Sequence, residues 1–204
     1  MGLATPRDGA GDGSAPPADA AVERRMVDRA RAGDPQALGQ LYDLYFPKVY
    51  RYVIARTRDM HEAEDLTAEV FVKMLSGIGD FHWRKAPFAA WLFRIARNHV
   101  ISYARKNGHR RHEGTVSETT VDPAEDITTA VETRLSFQEV LQAAQTLPPA
   151  QREVILLRFA VGLSVGDAAL VLGKRSGTVK VLQHKAIARL QKLLAPEAAL
   201  VGEG

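Results

Sequence analysis

The stretch that decides the fold is Leu163–Leu190, LSVGDAALVLGKRSGTVKVLQHKAIARL. Its apolar positions recur at helical spacing, and its small polar residues sit where helices start and stop. Gly162 allows a turn, and Ser164 is placed to cap a short helix over about 165–172. Gly173 makes a tight turn, and Ser176 is placed to cap a helix over about 177–194. On that second helix Val179, Leu182, Ala186, Leu190 and Leu193 lie within about 80° of one another, one core face. Lys180, His184 and Ala188 lie roughly opposite, flanked by Val181 and Lys185. Short helix, glycine turn and second helix make a helix-turn-helix layout. A helix with small, polar and basic residues outward can enter the DNA major groove and reach base edges.

Working upstream, Pro148-Pro149 stops one helix and starts another, whose pattern runs through Val154, Ile155, Leu157 and Arg158 to Phe159. Phe137, Val140, Leu141 and Ala144 form the preceding stripe, which ends at Leu147. Pro196 stops the last helix. These helices define a domain over 131–195, followed by a tail over 196–204. The segment 108–130 has no apolar period. Glu113, Glu118, Asp122, Glu125 and Asp126 make it acidic, and no Lys or Arg lies between Arg111 and Arg134. It reads as a flexible linker. Helical periodicity fills 22–107, a second small domain. Residues 1–21, rich in Gly, Ala, Pro, Ser and Asp, read as a disordered tail. No alternating strand pattern of useful length is present. The fold class is therefore all-α: two small helical domains joined by a flexible linker, the second a helix-turn-helix.

Composition sets the boundaries. The 204 residues are 46% hydrophobic and 25% charged, as expected of a globular chain. No apolar run reaches the ~18–20 residues that span a bilayer, and the N-terminus has no signal-peptide core. With no cysteine, disulfide scaffolds, thiolate metal sites and cysteine nucleophiles are excluded. A cytoplasmic protein is expected. The net charge is only +3, but the cations are segregated. Arg84, Lys85, Arg94, Arg97, Arg105, Lys106, Arg110 and Arg111 share one window with no acid between them, as do His82, His99, His109 and His112. Such a bias points to a phosphate-binding surface.

In the first domain, Gly33-Asp34-Pro35 marks a boundary at which Asp34 can cap the next helix. That helix carries Leu38, Leu41, Tyr42 and Tyr45, has Pro47 near a bend, and continues through Val49, Tyr50, Val53 and Ile54. A helix over about 60–76 sets Glu62, Asp65 and Glu69 within about 60°, an acidic stripe. Ala63, Leu66, Val70 and Met74 face its core side. Ser76–Asp80 breaks the helix. Phe81, Trp83, Pro87 and Phe88 then alternate with Arg84 and Lys85; aromatics stack bases and cations hold phosphates in single-strand sites. On the helix from about Phe88 to Lys106, Phe88, Trp91, Leu92, Ile95 and His99 share one face, and Arg94, Arg97, Ile101 and Arg105 another.

Together these residues resemble a family. Ala63–Phe71 (AEDLTAEVF) and Pro87–Asn98 (PFAAWLFRIARN) look like domain two of bacterial sigma factors. Leu147–Val154 (LPPAQREV), Leu163-Ser164, Ala168-Ala169, Leu172-Gly173, Gly177–Lys180 and His184–Ala186 look like domain four. The strings recur in order on either side of a linker. Having only these two domains, the chain resembles the extracytoplasmic-function type.

The resemblance implies a sigma factor that binds core RNA polymerase, directs it to promoters and helps melt the minus-ten element. It implies that Glu62, Asp65, Leu66 and Glu69 grip the clamp helices of the largest subunit. Trp83, Arg84, Lys85, Phe88, Trp91, Arg94, Arg97, Asn98 and Arg105 would hold the minus-ten strand, with the Phe81–Phe88 loop receiving a flipped base. Arg175, Ser176, Thr178, Lys180, Val181, His184 and Lys185 would read the minus-thirty-five duplex. Further implied partners are the polymerase flap and an anti-sigma factor. No enzyme activity, cofactor, metal or small-molecule substrate is expected, and no membrane insertion. The chain departs from the pattern at Ala68, where Gln is common, at Gly166-Asp167-Ala168, where the family has a bulkier run around an acid, and at Arg175, often Ser.

Three other readings compete. A polymerase-independent helix-turn-helix regulator leaves the acidic stripe and the aromatic-basic loop without a role. An enzyme lacks a phosphate-cradling Gly loop and a nucleophile-base pair; His109-x-x-His112 has no third ligand, and the Glu62, Glu64, Asp65 and Glu69 carboxylates suit a partner-facing stripe better than magnesium. A sequestering protein does not account for the outward Lys180 and His184.

Overall fold

A computed structural model describes residues 17–57, 59–107 and 143–194. It contains α1 (Pro17–Arg31), α2 (Pro35–Thr57), α3 (Met60–Gly77), a 3-10 turn (Ile78–Asp80) and α4 (Phe88–Asn107). These are followed by α5 (Pro149–Ile155), which continues as a π-helical turn over Leu156–Ala160, then α6 (Val165–Leu172) and α7 (Ser176–Leu194). No strand occurs among the described residues. The expected linker, most of the N-terminal tail, the C-terminal tail, the Phe137–Leu141 stripe and His109 with His112 lie outside them.

Helix ends follow local chemistry. Gly33, with φ +85°, lets α1 end and the chain turn. Asp34 caps α2: its Oδ1 accepts from the Gln36 and Ala37 amides at 2.9 and 3.4 Å. Arg29 Nε donates to the other oxygen at 2.7 Å, and that hydrogen bond is the main cause holding the Asp34 carboxyl below its ordinary pKa. Asp59 caps α3 by accepting from the Glu62 amide. Ser164 Oγ accepts from the Asp167 amide at 3.1 Å and donates to Asp167 Oδ2 at 2.8 Å. The acid of the unusual Gly166-Asp167-Ala168 run thus completes the cap. Gly173, with φ +62°, closes α6 in the left-handed region.

The expectations fail in four places here. α1 begins at Pro17, inside the expected tail, because Val27 and Ala30 supply it with a buried face. α2 runs through Pro47 as one helix. Ser176 is the first residue of α7 rather than its cap; the Arg175 carbonyl already accepts from the Thr178 and Val179 amides. Leu193, assigned to the core face, is 56% exposed, whereas Val179, Ala186 and Leu190 are buried.

α2 is the centre of the N-terminal unit, packed by α1, α3 and α4. Its Leu41, Val49, Tyr52 and Val53 are fully buried. α7 closes the C-terminal unit against α5 and α6. Arg158 ties its turns together, donating from Nε to Gln183 Oε1 on α7 at 3.0 Å and from Nη1 to the Leu163 carbonyl.

The two units are packed on each other, a relationship the sequence reading left open. α4 lies against α6, and α2 against the π-helical turn. One continuous apolar cluster includes Phe93, Ala96 and Val100 of α4 together with Leu156, Leu157, Ala168 and Val171. A buried polar cluster sits at this junction. Glu153, 5% exposed, accepts from the Tyr52 hydroxyl at 2.5 Å through Oε1 and from Arg56 Nη1 through Oε2. Arg97 Nε lies 3.5 Å from Oε1.

Candidate core-polymerase and nucleic-acid interfaces

The first candidate surface is the outer face of α3. Asp65 and Glu69 are exposed and Glu62 is partly buried. Leu66, expected in the same surface, is 2% exposed and belongs to the core. Spaced three and four residues from the core-facing Ala63 and Val70, it cannot share the stripe's side. The face extends further than the acids indicate. Val72 is 61% exposed and Leu75 50%, beside exposed Ala68 and Glu69. Adjoining exposed apolar and acidic side chains make this face a candidate contact surface. Helical spacing from Asp65 through Ala68, Glu69 and Val72 was the available signal for it.

The second surface is built by the loop after the 3-10 turn and by α4. Its aromatics form a packed cluster. Phe81 lies edge-on to Trp83, with centroids 5.1 Å apart, and to Phe88 at 5.5 Å. Trp91 contacts both Phe81 and Phe88. Phe81 and Phe88 are 3% and 0% exposed. Phe88, expected to face the strand, is therefore core, since Tyr45 also covers it from α2. Of these four rings only Trp83 and Trp91 keep partial exposure. α1 holds Trp83 from the other side: Nε1 donates to Asp28 Oδ1 at 2.9 Å, and Arg24 lies 5.5 Å over the ring. Arg84, Lys85, Arg94, Asn98 and Arg105 are exposed. Arg97 is set apart from that open basic face by its ion pair with Glu153.

α3 and α4 also communicate through His99, whose Nε2 lies 2.7 Å from Glu69 Oε2. Burial lowers the His99 pKa from its ordinary value and the Glu69 carboxylate partly opposes this.

The third surface is the outer side of α7. Arg175, Ser176, Thr178, Lys180, Val181, His184 and Lys185 are all exposed. Val179 and Ala186 anchor the opposite side. Six of the seven exposed residues lie on α7 and Arg175 immediately precedes it, a solvent-facing strip held in place by Gly173 and the Arg158–Gln183 hydrogen bond. Among the described residues no group of three or more metal-ligating side chains occurs, and no helix is long and apolar enough to cross a membrane.

Comparison with known proteins fits this layout. The profile of Sigma-70 region 2 matches residues 41–110 and that of Sigma-70, region 4 matches residues 137–190. The ECF RNA polymerase sigma factor BldN of Streptomyces coelicolor is 38% identical over 185 residues, covering 88% of this chain and 69% of BldN. The chain belongs to the ECF sigma factors. Its function is that of the family: binding core RNA polymerase, directing it to promoters and helping to open them. Two solved structures share the fold of this sigma factor. CnrH, in complex with the cytosolic domain of CnrY, superposes with a TM-score of 0.65 at 26% identity, covering 86% of this chain and 99% of that one. The sigma factor RpoE of Bartonella quintana, in complex with the anti-sigma factor NepR, gives 0.63 at 29% identity, covering 78% and 97%.

Proposed function

We propose that the three surfaces divide the work of initiation. The acidic and apolar face of α3 binds the clamp helices of the polymerase largest subunit through Glu62, Asp65 and Glu69, with Val72 and Leu75 adding apolar area. Arg84, Lys85, Arg94, Arg97, Asn98 and Arg105 hold the minus-ten strand by its phosphates and base edges, and Trp83 with Trp91 supplies the open ring surface. The α7 strip reads the minus-thirty-five duplex: Lys180, Val181, His184 and Lys185 reach into the major groove while Arg175, Ser176 and Thr178 meet phosphates. The C-terminal unit docks on the polymerase flap. The protein works in the cytoplasm as a non-catalytic factor. An anti-sigma factor controls it by covering these faces, a reading supported by the RpoE structure, which is bound to the anti-sigma factor NepR.

The observation that carries this reading is the α7 strip. All seven residues matched to duplex recognition are solvent-facing, six on one helix and Arg175 immediately before it, although burial was free to claim any of them. The test is run-off transcription with core bacterial RNA polymerase, this protein and a pool of genomic promoter fragments. Transcripts from defined starts that depend on the protein are expected, and they deliver its promoter motif. Absence of both transcripts and core binding overturns the reading in favour of an independent DNA-binding regulator.

A further inference from the structure

The cluster around Glu153 joins a residue assigned to DNA with an acid from the opposite unit. One buried carboxylate takes the Tyr52 hydroxyl and the Arg56 guanidinium and stands within ion-pair distance of Arg97. Arg97 belongs to α4, between exposed Arg94 and Asn98, the run that faces the strand. Carboxylate and phosphate suit the same guanidinium donors, so a phosphate must compete with Glu153 for Arg97, which is turned toward the carboxylate in this packing. Its Nε is buried and makes no hydrogen bond, so it is held beside the carboxylate without being saturated by it. Meanwhile every residue of the α7 strip is exposed in the same arrangement.

We propose that Glu153 is an internal phosphate mimic: it latches the two units together and engages Arg97, so the full grip on the minus-ten strand forms only after the units part, whereas the upstream duplex can be read before. The proposal rests on the assignment of Arg97 to the strand. A buried ion cluster suits a reversible latch. Desolvating the charges nearly offsets their attraction, so the cluster can be exchanged for solvent and phosphate, but removing one member leaves an uncompensated charge and weakens the closed state sharply. Opening is then coupled to strand binding, because apparent affinity scales with the fraction of molecules already open. The order of events follows from the geometry: duplex capture by α7, opening by polymerase or DNA, then strand capture by α4.

The chain has no native cysteine, so Ser76→Cys with Gln191→Cys places a donor and an acceptor dye on exposed sites, one in each unit. Energy transfer in the full-length protein reports closure. Anisotropy of a fluorescein-labelled oligothymidylate single strand reports strand binding. Glu153→Gln should lower transfer and tighten strand binding about tenfold or more, the gain available if the open form is a minor population. Adding Arg97→Ala to Glu153→Gln should remove that gain. Tyr52→Phe deletes one hydrogen bond to the same carboxylate while keeping the ring against Phe93. It should shift both readouts in the same direction by less, and it serves if Glu153→Gln does not fold. Unchanged transfer in both variants overturns the latch and leaves the assignment of Arg97 standing. Opening without tighter strand binding overturns the competition together with that assignment.

Discussion

Trp83 Nε1 donates a hydrogen bond to Asp28 Oδ1 at 2.9 Å across 55 residues of sequence. With Arg24 over the indole ring, α1 therefore fixes the loop that carries Arg84 and Lys85. The N-terminal helix is part of the proposed strand-binding apparatus rather than an appendage to it.

Asp28→Ala should release Trp83 and blur the loop. Losing one partly exposed hydrogen bond costs about 0.5–1.5 kcal/mol, so global stability should change little. Promoter opening, followed by a fluorescent base analogue in the minus-ten element, should slow several-fold while core-polymerase affinity stays within about twofold, since the acidic face of α3 is untouched. An equal loss in both would show that α1 acts on the whole unit instead of the loop.

Lys180→Ala with Lys185→Ala removes two cations from the exposed strip of α7. Each phosphate left without its cation lowers the slope of log affinity against log salt by about 0.9. Both side chains are assigned to the major groove, so weaker binding of the minus-thirty-five duplex with a nearly parallel salt dependence is expected. A fall of about two in the slope would place both on phosphates instead.

His99 makes stability pH-dependent. Burial holds its folded pKa below the ordinary value of 6.5, so the folded state favours the neutral ring. The stabilisation is fully present above that ordinary value and is lost as the pH falls below it through the folded pKa. The denaturation midpoint should drop on going from about pH 7.5 to about pH 5.5, and His99→Gln should flatten that part of the profile. An unchanged profile in the variant would assign the titration to another group.

Gly173 and Gly177 should respond oppositely. A Cβ at either meets nothing within 4 Å, but Gly173 has φ +62° and Gly177 lies within α7. Gly173→Ala should destabilise by about 1–2 kcal/mol, the cost of a left-handed conformation for a side-chain-bearing residue. Gly177→Ala should stabilise by up to about 1 kcal/mol through helix propensity. Denaturant titration of the two variants checks the pair, and a similar loss at both positions would mean that space, not backbone conformation, decides.

Local chemistry made much of the molecule legible. Asp34, Ser164 and Gly173 do in the structure what their residue types suggest, because caps and left-handed turns depend on a few neighbouring atoms. Helical periodicity separated the outer strip of α7 from Val179 and Ala186, because a helix repeats its faces at fixed angles. It also placed Asp65 and Glu69 outward on α3, though it passed over Val72 and Leu75, apolar residues that a hydropathy pattern does not assign to an open face.

The failures concern burial by distant segments. Phe88 is an aromatic beside cations, and no local rule distinguishes a stacking surface from a ring enclosed by Tyr45, Phe81 and Trp91. Arg97 shares the basic side of α4 with Arg94, yet one meets Glu153 and the other meets solvent. Residue order alone was enough for most of the helices and their caps, the helix-turn-helix and the charge borne by each surface, because these follow from backbone periodicity and side-chain chemistry within a few residues. It took packing in three dimensions to secure the Trp83 loop with α1 and to bring Glu153 to Tyr52, Arg56 and Arg97. Those interactions join segments 55 to 101 residues apart, and which of them form depends on how separate apolar faces pack together.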